Sequence, residues 1–106
     1  MGLFGFLHKI DFHQELENYR KETGAVLLDV RTPEEYKSGR VPGSRNLPLQ
    51  QIADIQKRIY NKATPLYIYC HSGARSRQAV AAVRQMGYTN VRDMGGIIQY
   101  GGRIER

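Results

Sequence analysis

Length, composition and charge confine this chain to one small domain and exclude several classes of protein. Its 106 residues are 41% hydrophobic and 25% charged, as is typical of a single globular domain with its own core. The formal net charge of +6 favours anionic partners, but the basic residues are scattered, so we expect no nucleic-acid partner. The single cysteine excludes an internal disulfide and any Cys-x-x-Cys metal or redox site.

The first eight residues form a short apolar segment, and residues 9–106 are expected to form the domain. The uncharged run over residues 1–7 is far too short to cross a bilayer, and it lacks the basic start and small-residue cleavage site of a signal peptide. We therefore expect a cytoplasmic protein that does not insert into a membrane, with a loosely held N-terminal segment. The leucines and phenylalanines of that segment either touch a membrane surface or, more simply, pack on the domain or on a partner.

Strand-like and helix-like segments alternate along the chain, which predicts an α/β fold. The apolar run at residues 25–30 is typical of a strand covered on both faces, so we expect a small, mainly parallel sheet flanked by helices on both faces. The first predicted elements are a strand ending at Ile10, a helix that Asp11 caps and Gly24 ends, a strand over 25–30, a helix from the Thr32 capping box to near Gly39, and a strand over 45–47. A helix over 49–60, a strand over 65–70, a helix over 76–86 and a last strand after residues 88–92 follow, with Gly95 and Gly96 opening a glycine-rich tail.

Cys70 lies at the end of a predicted strand, directly before a short loop and a helix. In open parallel sheets, ligands bind beyond the carboxyl ends of the strands. Gly73 lets the loop turn its amides inward, the start of the helix near Ser76 adds its dipole, and Arg75 adds a planar fork of donors. These parts predict a cradle for an anion around a reactive thiolate. The alternative is that Cys70 only ends a buried strand.

The histidines do not indicate a metal site. His71 adjoins Cys70, and we interpret it as facing solvent, because a thiolate needs no general base once it is ionised. His8 and His13 are interpreted as surface residues. Since the sequence shows no cluster of ligand types, we expect neither a metal nor another cofactor.

Several segments, in order along the chain, resemble the motifs of the rhodanese family. Residues 70–76, Cys-His-Ser-Gly-Ala-Arg-Ser, are similar to its Cys-x-x-Gly-x-Arg-Ser active-site loop. Residues 28–31, Leu-Asp-Val-Arg, followed by Pro-Glu-Glu-Tyr at 33–36, resemble its upstream Asp-Val-Arg signature and the helix after it. Residues 40–46 resemble its central segment, usually His-Ile-x-Gly-Ala-x-Asn, and residues 94–96 resemble its closing Gly-Gly.

This resemblance implies a rhodanese-like fold and a sulfurtransferase. The enzyme would move sulfur from a small anionic donor such as thiosulfate, through a Cys70 persulfide, to a thiol or protein acceptor. Cys70 would be the nucleophile, and Arg75 would stabilise charge. Asp29 and Arg31 would brace the loop through an ion pair or hydrogen bonds, unless the pair has no role in the chemistry. The implied binding residues are His71, Ser72, Gly73, Ala74, Arg75 and Ser76.

Other functions remain open on the sequence. A cysteine-dependent phosphatase also uses a Cys-to-Arg loop at a strand–helix junction, but tyrosine phosphatases have a longer loop than the four residues between Cys70 and Arg75. An arsenate reductase of related fold that needs an internal resolving thiol is opposed by the lack of a second cysteine. A non-catalytic interaction module would keep the fold for docking alone, and the intact loop argues against it.

Overall fold

Four parallel strands form the sheet at the centre of the molecule. In the computed structural model, which describes residues 9–106, the strand order is β2–β1–β3–β4 and every neighbouring pair is parallel. The small parallel sheet expected from the sequence is confirmed. Interpretations that concern residues 1–8, including His8, lie outside the described range. The strands are β1 (Val26–Asp29), β2 (Arg45–Asn46), β3 (Leu66–Cys70) and β4 (Val91–Gly96).

Helices connect the strands and cover the sheet. Within residues 9–106, no helix is both long enough and apolar enough to cross a membrane. The α-helices are α1 (Phe12–Lys21), α2 (Pro33–Ser38), α3 (Ile55–Arg58) and α4 (Ala74–Gln85), and 3-10 helices span Leu49–Asp54 and Ile97–Gln99.

Alternating side chains of the strands divide the core between the two faces of the sheet. On one face, Phe12 and Leu16 of α1 pack against Tyr67 and Tyr69 of β3. On the other face, α3 and α4 pack against the remaining β3 side chains, which include Cys70. Helices on both faces are therefore confirmed, and Cys70 belongs to the core beneath α4.

The parallel register brings the carboxyl ends of the strands to one edge of the sheet. Asp29 at the end of β1 lies opposite Asn46 of β2 and Tyr69 of β3. Cys70 at the end of β3 lies opposite Gly96 of β4. The residues singled out in the sequence are thus gathered on one side of the molecule.

The segment predicted as one helix over 49–60 is a 3-10 helix followed by a single α-helical turn. The large apolar side chains Leu49, Ile52 and Ile55 recur every third residue, which suits the three residues per turn of a 3-10 helix. Gln51 has non-helical dihedral angles (φ −111°, ψ 16°) and bends the segment.

Other boundaries also differ from the predicted ones. Helix α1 ends at Lys21 with Glu22 as its C-cap, before the predicted stop at Gly24. Ile10 lies outside regular structure instead of ending a strand. Helix α4 begins at Ala74, two residues before the predicted start at 76. Gly95 and Gly96 belong to β4 and not to a tail, because the backbone of this strand packs directly against the Cys70 loop.

Candidate active site

The Cys70 sulfur lies at the centre of a tight turn between β3 and α4. Cys70 is 1% exposed, and its Sγ accepts a hydrogen bond from the backbone N–H of Gly73 at 3.0 Å. Gly73 makes this turn with φ +114°, a left-handed conformation that favours glycine. The loop therefore closes around the sulfur within three residues.

The first turn of α4 supplies further donors beside this sulfur. Its first intrahelical bond runs from the N–H of Arg77 to the carbonyl of Gly73 at 3.1 Å. The N–H groups of Ala74, Arg75 and Ser76 come before that bond and have no partner within the helix. Together with the helix dipole they favour a negative charge at this end of α4.

The Arg75 guanidinium binds Glu35 of α2. Nη1 lies 2.7 Å from Oε1 and Nη2 lies 2.9 Å from Oε2, so the pair is bidentate. The Arg75 guanidinium holds the pKa of the Glu35 carboxyl at about 2, well below its ordinary value. Glu35 also accepts the backbone N–H of Thr32 at 3.0 Å in the capping box that starts α2. Arg75 thus fixes the first turn of α4 to α2, and its part in the sulfur chemistry stays a prediction.

Ser76 likewise uses its side chain inside the protein. The residue is fully buried, and its Oγ lies 2.8 Å from Asp93 Oδ1 and 3.0 Å from the Gly73 carbonyl oxygen. The same Asp93 oxygen accepts the N–H of Gly95 at 2.9 Å. The hydroxyl of Ser76 therefore ties the loop to β4, and only its backbone N–H remains for a ligand. The side chains of His71, Ser72 and Ala74 are exposed.

Asp29 and Arg31 form a buried ion pair beside the site. Arg31 Nη2 lies 2.6 Å from Asp29 Oδ2, and the two side chains are 5% and 0% exposed. The backbone N–H of Arg31 also donates to Asp29 Oδ1 at 2.9 Å, and Nη2 donates to the carbonyl of Gly39 at 2.7 Å. Asn46 completes the cluster by donating to the carbonyls of both residues. With all these donors and acceptors engaged inside the protein, the geometry suits bracing and not contact with a substrate.

Comparison with known proteins identifies the family. Residues 12–100 match the profile of the family described as the rhodanese-like domain. The chain belongs to this family. A sulfurtransferase from Allochromatium vinosum is 36% identical over 95 residues, which cover 89% of this chain and 88% of that protein. The thiosulfate sulfurtransferase PspE of Escherichia coli (strain K12) is 37% identical over 71 residues, 66% of this chain and 68% of that protein. The solved structure of a rhodanese with anions from E. coli superimposes with a TM-score of 0.72 at 31% identity, covering 77% of this chain and 98% of that one.

The end of β4 forms the floor of the loop in this rhodanese-like domain. A Cβ atom at Gly96 would lie 2.4 Å from the carbonyl oxygen of His71 and 2.5 Å from Cα of Ser72, so only glycine fits there. The N–H of Ile98 donates to the same His71 carbonyl at 3.2 Å. The loop is therefore held from below by β4 and the residues that follow it.

Two clefts open on either side of the loop. The larger, of about 560 Å³, is lined by residues that include Ser72, Gly73, Ala74 and Arg77. The smaller, of about 430 Å³, is lined by His71 together with residues of α2 and of the C-terminal segment. Within residues 9–106, no group of three or more His, Cys, Asp or Glu side chains is placed to hold a metal ion.

Sequence reasoning missed three supports of the site: Glu35, Asp93 and Gly96. The sequence places Glu35 in the capping box alone, and no local pattern links it to Arg75, which lies 40 residues away. Asp93 belongs to none of the motifs described in the sequence analysis. The Gly95-Gly96 pair was a usable signal, because adjacent glycines after a strand often mark a close approach of backbones.

Proposed function

We propose that this rhodanese-like domain is a thiosulfate-type sulfurtransferase that carries sulfur as a persulfide on Cys70. One observation carries the proposal: the lone cysteine ends β3 with its Sγ 3.0 Å from the Gly73 N–H, inside the first turn of α4. Backbone donors and a helix N-terminus stabilise a thiolate and an anionic sulfur species at that position. The relatives named as thiosulfate sulfurtransferases support the same chemistry.

The reaction proceeds in two balanced steps. The Cys70 thiolate attacks the outer sulfur of thiosulfate, the sulfur–sulfur bond of the donor breaks, and sulfite leaves with the electron pair. Cys70 then holds a persulfide whose terminal sulfur is negatively charged. A thiophilic acceptor attacks this terminal sulfur, and the electron pair of the broken bond returns to Cys70 as thiolate. Neither step requires a metal or an organic cofactor.

The surrounding residues fill the supporting roles. The amides of residues 71–76 hold the anionic donor and the persulfide, and the ion pair of Arg75 keeps the first turn of α4 in position. Asp29 and Arg31 hold the carboxyl end of β1 beside the loop. The cell's acceptor is a thiol or a protein, and a cytoplasmic location remains the prediction from the sequence.

Intact-mass spectrometry before and after incubation with thiosulfate tests this proposal. We expect the wild-type protein to gain one sulfur atom, to lose it again on addition of cyanide with release of thiocyanate, and the Cys70→Ser variant to gain none. A wild-type protein that takes up no sulfur in the absence of reducing agents would contradict the proposal. An aryl-phosphate hydrolysis assay on the same sample then decides whether the loop serves a phosphatase.

A further inference from the structure

The surface around the Cys70 loop carries exposed apolar side chains. Among residues 9–106, the exposed large apolar side chains are Ile10, Tyr60 and Ile98. Ile10 borders the larger cleft and Ile98 the smaller, so the two lie on opposite sides of the loop. Tyr60 precedes β3 and lies toward the amino end of that strand, away from the site. Exposed apolar area is thus concentrated beside the nucleophile.

Ile98 is fixed in this exposed position. The residue is 60% exposed, although its backbone N–H is bound to the carbonyl of His71, the neighbour of the nucleophile. Ile97 and Ile104 line the same cleft. An apolar wall that is held rigid and left in water gains free energy when a partner covers it.

The C-terminal segment completes this wall and adds a charge. Arg40 and Glu105 exchange two backbone hydrogen bonds of 2.9 Å in an antiparallel bridge. Side chains alternate along such an extended segment, so Ile104 and Arg106 share one side and Glu105 takes the other. Ile104 and Arg106 both line the smaller cleft, whereas Glu105 pairs with Arg40 at 3.4 Å.

Both clefts carry a net positive charge. In the larger cleft, Lys9 and Arg77 stand against Asp93, whose carboxylate already accepts hydrogen bonds inside the protein. In the smaller cleft, Arg31 is paired with Asp29 and Glu35 is paired with Arg75, so Arg106 supplies the positive charge that faces a partner. This pattern fits a partner with acidic residues.

The burial of Cys70 limits how the partner presents its sulfur. Because Cys70 is 1% exposed, a thiol on a flat protein surface cannot reach the sulfur that Cys70 carries. A cysteine on a protruding loop or tail can enter the turn while its neighbours contact the two clefts.

We propose that Ile98, Ile104, Arg77 and Arg106 form a docking rim for an acidic protein acceptor. Its cysteine stands on a protruding segment flanked by acidic and apolar residues. The acceptor thiolate attacks the terminal sulfur of the Cys70 persulfide, the sulfur–sulfur bond breaks, and the acceptor leaves as a persulfide while Cys70 recovers its thiolate. This transfer rests on the proposed function, but the docking can be measured without it.

The binding experiment uses the Cys70→Ser protein and a labelled peptide in which a serine, in place of the acceptor cysteine, is flanked by leucines and glutamates. Fluorescence anisotropy should show that this acidic peptide binds more tightly than a lysine peptide, in which lysines replace the glutamates. Adding Ile98→Ser should weaken the binding about tenfold, since one apolar contact is lost. Adding Arg77→Glu should weaken binding of the acidic peptide roughly tenfold and strengthen binding of the lysine peptide. Adding Tyr60→Ser, which removes an exposed apolar side chain at the other edge, should change neither affinity.

Equal binding of the acidic and lysine peptides, or an equal effect of Ile98→Ser and Tyr60→Ser, would overturn the docking proposal. Discharge of the loaded wild-type protein provides a second measurement. The cysteine form of the acidic peptide should remove sulfur from Cys70 with a higher kcat/KM than 2-mercaptoethanol. The Ile98→Ser substitution should slow sulfur transfer to the peptide more than it slows sulfur transfer to cyanide. If 2-mercaptoethanol matches the peptide, the acceptor is a small thiol and the rim does not dock a protein. If Cys70 cannot be loaded, the proposed function fails, while the binding comparison still decides whether the rim docks an acidic segment.

Discussion

Replacing Glu35 by glutamine removes one charge from the ion pair that fixes α4 to α2, and it keeps a side chain that can still cap Thr32. The Arg75 guanidinium lowers the pKa of Glu35 from 4.5 to about 2. At about 1.4 kcal/mol for each pKa unit, this corresponds to roughly 3 kcal/mol if water screened nothing. The two side chains are 32% and 33% exposed. Solvent screening therefore reduces the expected loss of stability at neutral pH to about 1 kcal/mol.

The loss should depend on pH in a defined direction. Because the folded-state pKa of Glu35 lies below the unfolded value of 4.5, its charge stabilises the fold above that pH, and the stabilisation disappears as the pH falls from 4.5 through about 2. Urea unfolding followed by circular dichroism should give the full difference between wild type and Glu35→Gln at pH 7 and less than half of it near pH 3.

The matched control is Glu34→Gln, an exposed residue in the same first turn of α2. It should cost less than about 0.5 kcal/mol, because it loses only an interaction with the helix dipole. A Glu35→Gln deficit that is as large at pH 3 as at pH 7, or a Glu34→Gln deficit of the same size, would show that the ion pair with Arg75 is not the cause.

Two further substitutions test how the loop is supported. Gly96→Ala forces a Cβ to within 2.4 Å of the loop backbone; it should cost about 1–3 kcal/mol and reduce sulfur loading from thiosulfate in the mass assay. The control is Gly24→Ala, in an open left-handed position, which should cost about 1 kcal/mol and leave the loading unchanged. If both variants take up sulfur equally, close contact between Gly96 and the Cys70 loop is not needed for loading. Asp29→Asn leaves the buried guanidinium of Arg31 without its counter-charge and should cost about 3–5 kcal/mol in urea unfolding, whereas Glu17→Gln in an exposed pair should cost less than about 0.5 kcal/mol. Similar losses for these two variants would refute the argument from burial.

The features that the sequence predicted are those set by neighbouring residues. The capping box of Thr32 and Glu35, the apolar run of β1 and the strand–loop–helix order around Cys70 each depend on short spacings, and the structure has all three. The position of the Arg75 guanidinium depends on a partner from a different element, and no local pattern encodes that contact.

The helix over 49–60 illustrates a different reason for a wrong boundary. Apolar residues recurring every three or four positions fit an α-helix and a 3-10 helix almost equally well over a single turn or two. Packing of Ile52 and Ile55 beneath the sheet then decides between the two geometries, and this packing involves residues distant in sequence.

The all-parallel pairing of β1 to β4 has a consequence for how the chain folds. Parallel neighbours cannot be joined by a tight hairpin, so each strand pair closes only after an intervening segment has been ordered. The turn around Cys70 needs Glu35 from before it and Gly96 from after it, so it can be complete only when nearly the whole chain is in place. Sulfur uptake by the nascent or refolding chain should therefore appear late, with the slow kinetics of non-local contacts, and would report the last step of folding.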